Sequence, residues 1–266
     1  NFVIIKDSKL NFFLLFIISI YSFYINFHYS NIGTFPIDTF LHFDSSYRVF
    51  NNEYPVKDFW IVSGFIVDFI QSIFFKLFGV NWNSYIIHSS IINVVISLFT
   101  YYFFLELKIP PLVSCIYTLC FATLAYTISG TPFVDHHATF FLLIGTYLII
   151  YALNKKDKII LWPIIVFIFS LSFLSKQVPV AYAIILQGSL ILFLILKERL
   201  FKILITIFIS VVVITLIFFL FLFFLGIEIQ LFYKQYIDYP RTIGTDRFLT
   251  LNKSFESIFN QYKYII

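Results

Sequence analysis

The side chains of this sequence that are best placed for chemistry are aspartates set among aromatic residues beside apolar segments. Asp38, Asp44 and Asp58 lie within "FPIDTFLHFDSSYRVFNNEYPVKDFW". In the low dielectric beside a membrane, an uncompensated carboxylate binds a proton more readily, and it can take that proton from an attacking hydroxyl group. These three aspartates are therefore candidate catalytic residues. The alternative is that they are solvated loop positions or helix caps, and Asp44 has the side chain of an N-cap.

Two further segments carry polar side chains at the ends of apolar runs. In "TPFVDHHATFF", Asp135 and His136 open a run; adjacent His136 and His137 point in different directions on a helix, so both do not easily bind one metal. The alternative is an ordinary helix start capped by Asp135. In "FLSKQVPV", Lys176 and Gln177 lie in a short turn, where a cation must snorkel or find an anion. That anion is either a lipid phosphate or an outer-loop aspartate.

The segment "YKQYIDYPRTIGTDRF" near the end of the chain adds Arg241 and Arg247, whose forked guanidinium groups suit phosphate. Snorkelling at a membrane interface explains them equally well. Cys115 and Cys120 share one apolar run but not one helix face, so we interpret them as packing residues. No nucleotide-binding or metal-binding motif is present. We expect no cofactor and no metal site, with a divalent ion left as an open alternative.

The composition is that of a protein embedded in a membrane. Hydrophobic residues make up 60% of the 266 residues and charged residues 12%, with a mean hydropathy of +0.92. Soluble domains carry about 25% charged residues. Apolar runs close to the roughly 20 residues that cross a bilayer predict about seven transmembrane helices. The runs are Leu10–Phe27, Tyr85–Leu105, Pro111–Ile128, Ala138–Leu153, Ile159–Leu174, Pro179–Leu196 and Ile203–Leu225.

One more apolar run, Ile61–Gly79, carries polar residues on a single helical face. Asp68, Gln71, Ser72 and Lys76 follow helical spacing, and Phe, Ile and Val occupy the opposite face. This pattern is typical of an amphipathic helix that lies in the membrane interface and does not cross it.

The distribution of lysine and arginine supports that interpretation. If this run does not cross, half of the 18 Lys and Arg residues fall in the short segments 1–9, 106–109, 154–158 and 197–202. The positive-inside rule then places the N-terminus in the cytoplasm. We predict one transmembrane domain over 1–266 in the inner (plasma) membrane, with a first outer loop (28–84) and an outer C-terminal segment (226–266). We expect that segment to be truncated.

The polar side chains gather on the predicted outer side. Ten of the 14 acidic residues and all five histidines lie at or near it. Acidic residues contribute little to orientation, so a functional site on the outer side explains them better than topology does.

The first outer loop resembles that of GT-C glycosyltransferases, in the branch of protein O-mannosyltransferases and aminoarabinose transferases. The likeness rests on "YRVFNNEYPVKDF", on "FFKLFG", and on Asp38 and Asp58 in the two acidic positions. Asn52 stands where the family usually has Gly, and Val56 where Tyr is common. "FVDHHATFFLL" and "FLSKQVPVAYAI" are similar to the family's later loops.

The resemblance implies a GT-C-like bundle that takes a sugar from a polyprenyl-phosphate carrier. Lys176, with Arg241 or Arg247, would hold the phosphate, and Asp38 or Asp44 would deprotonate the hydroxyl of a glycan, lipid or protein acceptor. Attack on the anomeric carbon would invert its configuration.

Two other functions stay open. A transporter or flippase of lipid-linked sugars needs polar residues near the bilayer midplane, where Asn93 and Gln187 are the best candidates. A non-catalytic assembly subunit would tolerate the loss of Asp38 and Asp58. Nothing in the sequence points to nucleic acid as a partner.

Overall fold

The structure is a computed structural model that describes residues 8–33, 36–61, 63–126, 130–155 and 158–243. In these ranges the regular secondary structure is helical throughout, apart from one isolated β-bridge between Pro55 and Phe59. The α-helices are α1 (Ser8–Tyr29), α2 (Pro36–Phe50), α3 (Ile66–Phe78), α4 (Trp82–Glu106), α5 (Pro111–Ala125), α6 (Val134–Asn154), α7 (Leu161–Ser175), α8 (Val180–Lys197), α9 (Phe201–Leu225) and α10 (Ile229–Tyr233). A π-helix, Lys234–Asp238, continues from α10.

Each of the seven apolar runs coincides with one helix, namely α1 and α4 to α9. Five of these (α1, α4, α6, α8 and α9) are long and apolar enough to cross a membrane. The other two, α5 and α7, are shorter apolar helices of 15 residues. The prediction of an all-α polytopic membrane protein is confirmed.

Contacts at both ends of the bundle show that α1 and α4 run in opposite directions. At one end of the bundle, Tyr101 Oη near the finish of α4 donates to Asn11 Oδ1 near the start of α1. At the other end, Asn26 Nδ2 of α1 donates to Ser89 Oγ of α4 at 3.0 Å and to Gly130 O before α6 at 3.1 Å. We call this second end, where α1 finishes and α4 and α6 begin, the polar end.

Small and polar residues bring the helices together where apolar packing alone would be nonspecific. The amide of Asn93 donates to Ser22 O at 2.9 Å and to Ala122 O at 3.0 Å, so it joins α4 to α1 and α5. Gly145 lets the ring of Phe169 approach closely, because a Cβ there would lie 2.2 Å from the ring. These contacts fix the register of the helices that carry the polar end.

The helix α3 has 13 residues, which is about 20 Å and too short for a bilayer core of about 30 Å. The sequence pattern did not show where its polar face points. Asp68, Gln71 and Ser72 are buried inside the protein, whereas the apolar side chains of Ile73 and Leu77 are exposed. The polar face is buried because histidines of the neighbouring helices supply its hydrogen-bond partners.

Candidate active site

Asp38 and Asp44 both lie on α2, with different surroundings. Asp38 is exposed in the first turn and makes no hydrogen bond or ion pair with the described part of the chain. Asp44 Oδ2 accepts from Arg48 Nε at 2.9 Å, one turn further along. The N-cap interpretation of Asp44 is wrong, because α2 begins at Pro36, whose fixed φ suits a first turn. The Asp44 pair also raises the pKa of the Arg48 guanidinium.

Asp58 closes a tight turn in the first loop. Its Oδ2 accepts from Tyr54 N at 2.7 Å, while its own backbone N donates to Tyr54 O at 2.9 Å. Val56, at the centre of this turn, has φ +75°. A β-branched residue in the left-handed region is strained, at a cost of order 1–3 kcal/mol. The surrounding contacts must therefore hold the turn in place.

Two positions of the first-loop motif need a left-handed backbone. Asn52 has φ +65° just after α2, and Gly79 has φ +80° where α3 ends. Glycine adopts this conformation freely and asparagine tolerates it better than other residues. Asparagine at position 52 is therefore compatible with the backbone conformation that this turn requires.

Asp135 and Lys176 meet at the polar end. Lys176 Nζ donates to Asp135 Oδ1 at 2.5 Å, and the two side chains are 31% and 42% exposed. The capping interpretation of Asp135 is wrong, because α6 begins at Val134 and Asp135 lies in its first turn with no capping hydrogen bond. The aspartate stabilises the cation at the start of α6, and the pair stays accessible to a ligand.

The first loop docks directly beside this ion pair. Gly64 N donates to Ser175 O at 3.0 Å, one residue before Lys176. A Cβ on Gly64 would lie 1.9 Å from Leu174 O, so only glycine permits this approach. The loop that carries Asp58 is thereby joined to the turn that carries Lys176.

The remaining predicted binding residues lie around the pair without forming one cluster with it. The amide of Gln177 is buried and donates to Tyr236 O at 2.9 Å. His136 packs against the Tyr126 ring at 4.9 Å, and its Nδ1 has no partner among the described atoms. Arg241 is exposed near the end of the described chain, and Arg247 lies outside the described residues.

Below these residues lies a buried polar cluster that the sequence did not reveal. His42 Nδ1 of α2 contacts Asp68 Oδ1 of α3 at 3.2 Å. His88 Nδ1 of α4 contacts Gln71 Oε1 at 2.9 Å, and His88 Nε2 faces His137 Nε2 of α6 at 3.0 Å. All five side chains are less than 4% exposed. The sequence signals were the grouping of histidines near one side and the polar face with Asp68 and Gln71, and neither showed that the two meet.

Proton positions in this cluster follow from its geometry. His137 Nδ1 lies 3.0 Å from Phe133 O, which can only accept, so this nitrogen carries a proton. A neutral His137 then accepts at Nε2 from His88, which leaves Nδ1 of a neutral His88 as an acceptor. Gln71 satisfies it when its amide turns Nε2, which otherwise has no described partner, toward that nitrogen. Burial raises the pKa of the Asp68 carboxyl, while the contact with His42 lowers it. The cluster packs α3 against the bundle through hydrogen bonds, which keeps the first loop at the polar end.

An apolar cavity of about 650 Å³ opens between α7, α8 and α9. Its wall runs from Trp162 to Leu174 along α7, a distance of about 18 Å at 1.5 Å per residue. Leu174 and Ala181 of its lining flank the turn that holds Lys176. In the described ranges, no group of three or more His, Cys, Asp or Glu residues is arranged to hold a metal ion.

These features define an all-α polytopic membrane protein whose polar end carries an ion pair beside a long apolar cavity. Residues 63–225 match the family described as dolichyl-phosphate-mannose-protein mannosyltransferase. The match covers more than half of the chain, so the chain belongs to this family of membrane glycosyltransferases of the mannosyltransferase type. It includes α3 to α9 and the Asp135–Lys176 pair, but it begins after Asp58. No individual curated protein and no solved structure gives a match.

Proposed function

We propose that this chain transfers a sugar from a polyprenyl-phosphate carrier to an acceptor hydroxyl group at the polar end. One observation carries the proposal: Lys176 stands where the apolar cavity between α7, α8 and α9 meets the polar end. A polyprenyl phosphate needs an apolar cavity for its tail and a cation for its phosphate. In this chain the cavity and the lysine lie next to each other. The family description, which names dolichyl-phosphate mannose, supports the same class of donor.

The donor phosphate is held by Lys176 in this proposal. Before the donor binds, Asp135 keeps the ammonium group at the polar end. A phosphate offers more acceptor oxygens than one carboxylate and forms charge-assisted hydrogen bonds of the same kind. Arg241 and Arg247 are proposed to add further cationic contacts, with His136 and Gln177 lining the same region.

In the transfer step, the acceptor oxygen attacks the anomeric carbon of the sugar. A bond forms between these atoms, the bond from the anomeric carbon to the phosphate oxygen breaks, and polyprenyl phosphate leaves. The hydroxyl proton passes to a carboxylate, for which we propose Asp38. Asp44 is engaged by Arg48, and Asp58 by the backbone of Tyr54, whereas Asp38 has no such described partner. Direct displacement inverts the anomeric configuration.

The transporter alternative loses support from the positions of Asn93 and Gln187. The amide of Asn93 is committed to two backbone carbonyls, and Gln187 Oε1 accepts from Thr146 Oγ1 at 3.1 Å. Both amides join helices together. Because both amides are used in these contacts, they do not line a polar path for a substrate through the described part of the bundle. An enzyme with a site at one end is therefore the better explanation.

We also propose that the polar end faces outward from the plasma membrane, with the N-terminus in the cytoplasm. In a background with Cys115 and Cys120 replaced, Asn52→Cys should react in intact cells with a membrane-impermeant maleimide. Asn154→Cys, at the opposite end of α6, should react only after the cells are permeabilised, because the bilayer separates the two ends. Both positions are exposed. Labelling of Asn154→Cys in intact cells contradicts this orientation.

The transfer assay uses membranes that contain the protein, polyprenyl-phosphate mannose with a radiolabelled sugar, and a mixture of cell-envelope acceptors. Wild-type protein should transfer the label. Lys176→Ala should raise the donor KM about tenfold, which corresponds to about 1.4 kcal/mol of lost phosphate binding.

Lys234→Ala provides the control, because Lys234 is an exposed lysine at the same end of the bundle. Its donor KM should match that of the wild type. Equal KM values for Lys176→Ala and the wild type contradict the assignment of the phosphate site. A wild-type protein that transfers no label from this donor contradicts the proposed activity with mannose.

A further inference from the structure

We propose that Gln235 is a positioning residue, which holds the first loop at the correct distance from the turn that binds the donor phosphate. The inference rests on the proposed transfer reaction. Gln235 lies in the π-helix Lys234–Asp238, beyond the region 63–225 that matches the family. Helices of this kind are rare and occur frequently at functional sites.

The side-chain amide of Gln235 bridges two backbone groups of the first loop. Its Nε2 donates to Val56 O at 3.0 Å, and its Oε1 accepts from Ile61 N at 3.2 Å. The side chain is 4% exposed, so water does not replace these bonds readily. A side-chain amide donates through its nitrogen and accepts through its oxygen, and both functions are used here.

The next residue joins the same segment to the phosphate turn. Tyr236 O accepts from Gln177 Nε2 at 2.9 Å, and the Tyr236 hydroxyl donates to Phe173 O near the end of α7. Tyr236 is fully buried. Two adjacent residues of the π-helix therefore hold the first loop on one side and the Lys176 turn on the other.

The turn around Val56 has a strained backbone and depends on contacts from outside the turn to keep its conformation. Val56 has φ +75°, and a strained backbone persists only where its surroundings hold it. Gln235 binds the carbonyl of this residue. Loss of the bridge would release the segment between Val56 and Gly64, which connects α2, the helix of the proposed base Asp38, to the docking point beside Lys176. Catalysis depends on such spacing, since small displacements of reacting groups cost large factors in rate.

The test replaces Gln235 with Glu and follows transfer of mannose from polyprenyl-phosphate mannose between about pH 8 and about pH 5. An ionised glutamate accepts from Ile61 N but cannot donate to Val56 O. A protonated glutamate does both, and burial favours the protonated form. The kcat of Gln235→Glu should fall about tenfold at the higher pH and approach the wild-type value at the lower pH. The donor KM should stay unchanged at both.

Several charged and titratable groups lie on the segments that Gln235 and Tyr236 hold, and four of them have partners. Lys57 donates to Leu225 O, Asp58 accepts from Tyr54 N, Lys176 pairs with Asp135, and the Tyr236 hydroxyl donates to Phe173 O. Lys234 and Asp238 lie on the same π-helix. These groups are common to the wild type and the variant, so dividing by the wild-type pH profile isolates the new carboxyl group.

Two further variants make the result decisive. Gln235→Leu removes both bonds and carries no ionisable group, so its kcat should be low at every pH, and hydrogen exchange at Ile61 N should be faster. Gln230→Glu, an exposed position on α10, should follow the wild-type profile. A wild-type kcat for Gln235→Leu, or a loss in Gln235→Glu that does not depend on pH, overturns the positioning role. An inactive wild-type protein contradicts the proposed function instead.

Discussion

Transfer by the Asp38→Asn variant is expected to be slower than wild-type transfer by about 10²- to 10⁴-fold in kcat, the range contributed by a general base. Asparagine preserves the size of the side chain but accepts no proton from the acceptor. Asp38 is exposed and unpaired within the described chain, so the substitution should not disturb folding. Steady-state kinetics with labelled polyprenyl-phosphate mannose would measure the loss. The donor KM should change little, because the proposed phosphate site is at Lys176.

Two neighbouring aspartates provide matched controls for this prediction. Asp44→Asn removes an exposed pair with Arg48, and such pairs contribute little to stability. Asp58→Asn keeps an oxygen that accepts from Tyr54 N. Both variants should retain kcat within about threefold. If Asp58→Asn loses the activity and Asp38→Asn does not, the base is Asp58. Full activity of all three variants supports a non-catalytic role for the chain.

The helices could be predicted from the sequence because hydropathy over about 20 residues depends on local composition alone. Each of the seven apolar runs became a helix within a few residues of its predicted limits. An ion pair between Lys176 and an unspecified outer-loop aspartate was one of two alternatives, because a cation in a short turn must find an anion. What the sequence could not give was which anion that would be.

The tertiary contacts of the site could not be predicted, because they join segments that are far apart in the chain. Gln235 and Val56 are separated by 179 residues, and no local pattern encodes their contact. The polar face of α3 was misleading for a related reason. The spacing of Asp68 and Gln71 shows that they share a face, but only His42 and His88 on other helices determine that this face is buried.

Filling the cavity between α7, α8 and α9 by replacing a single glycine is expected to weaken donor binding strongly. Gly188 lines this cavity, and a Cβ built on it meets no atom within 4 Å. In Gly188→Phe the ring would occupy the space of two or three methylene groups of the lipid. Each buried methylene contributes about 0.8 kcal/mol, so the donor KM should rise about 30-fold. The fold should be preserved, since glycine is a poor helix residue.

The specificity of this effect can be checked on the opposite face of the same helix. Leu190 is 60% exposed and does not line the cavity, so Leu190→Phe should bind the donor as the wild type does. A carrier analogue with a truncated lipid occupies less of the cavity. Gly188→Phe should therefore discriminate against the long-chain donor more strongly than against the short one. An equal rise in KM for both donors would show that the lipid binds elsewhere. A ring inside the cavity weakens binding only of the part of the lipid that must lie there.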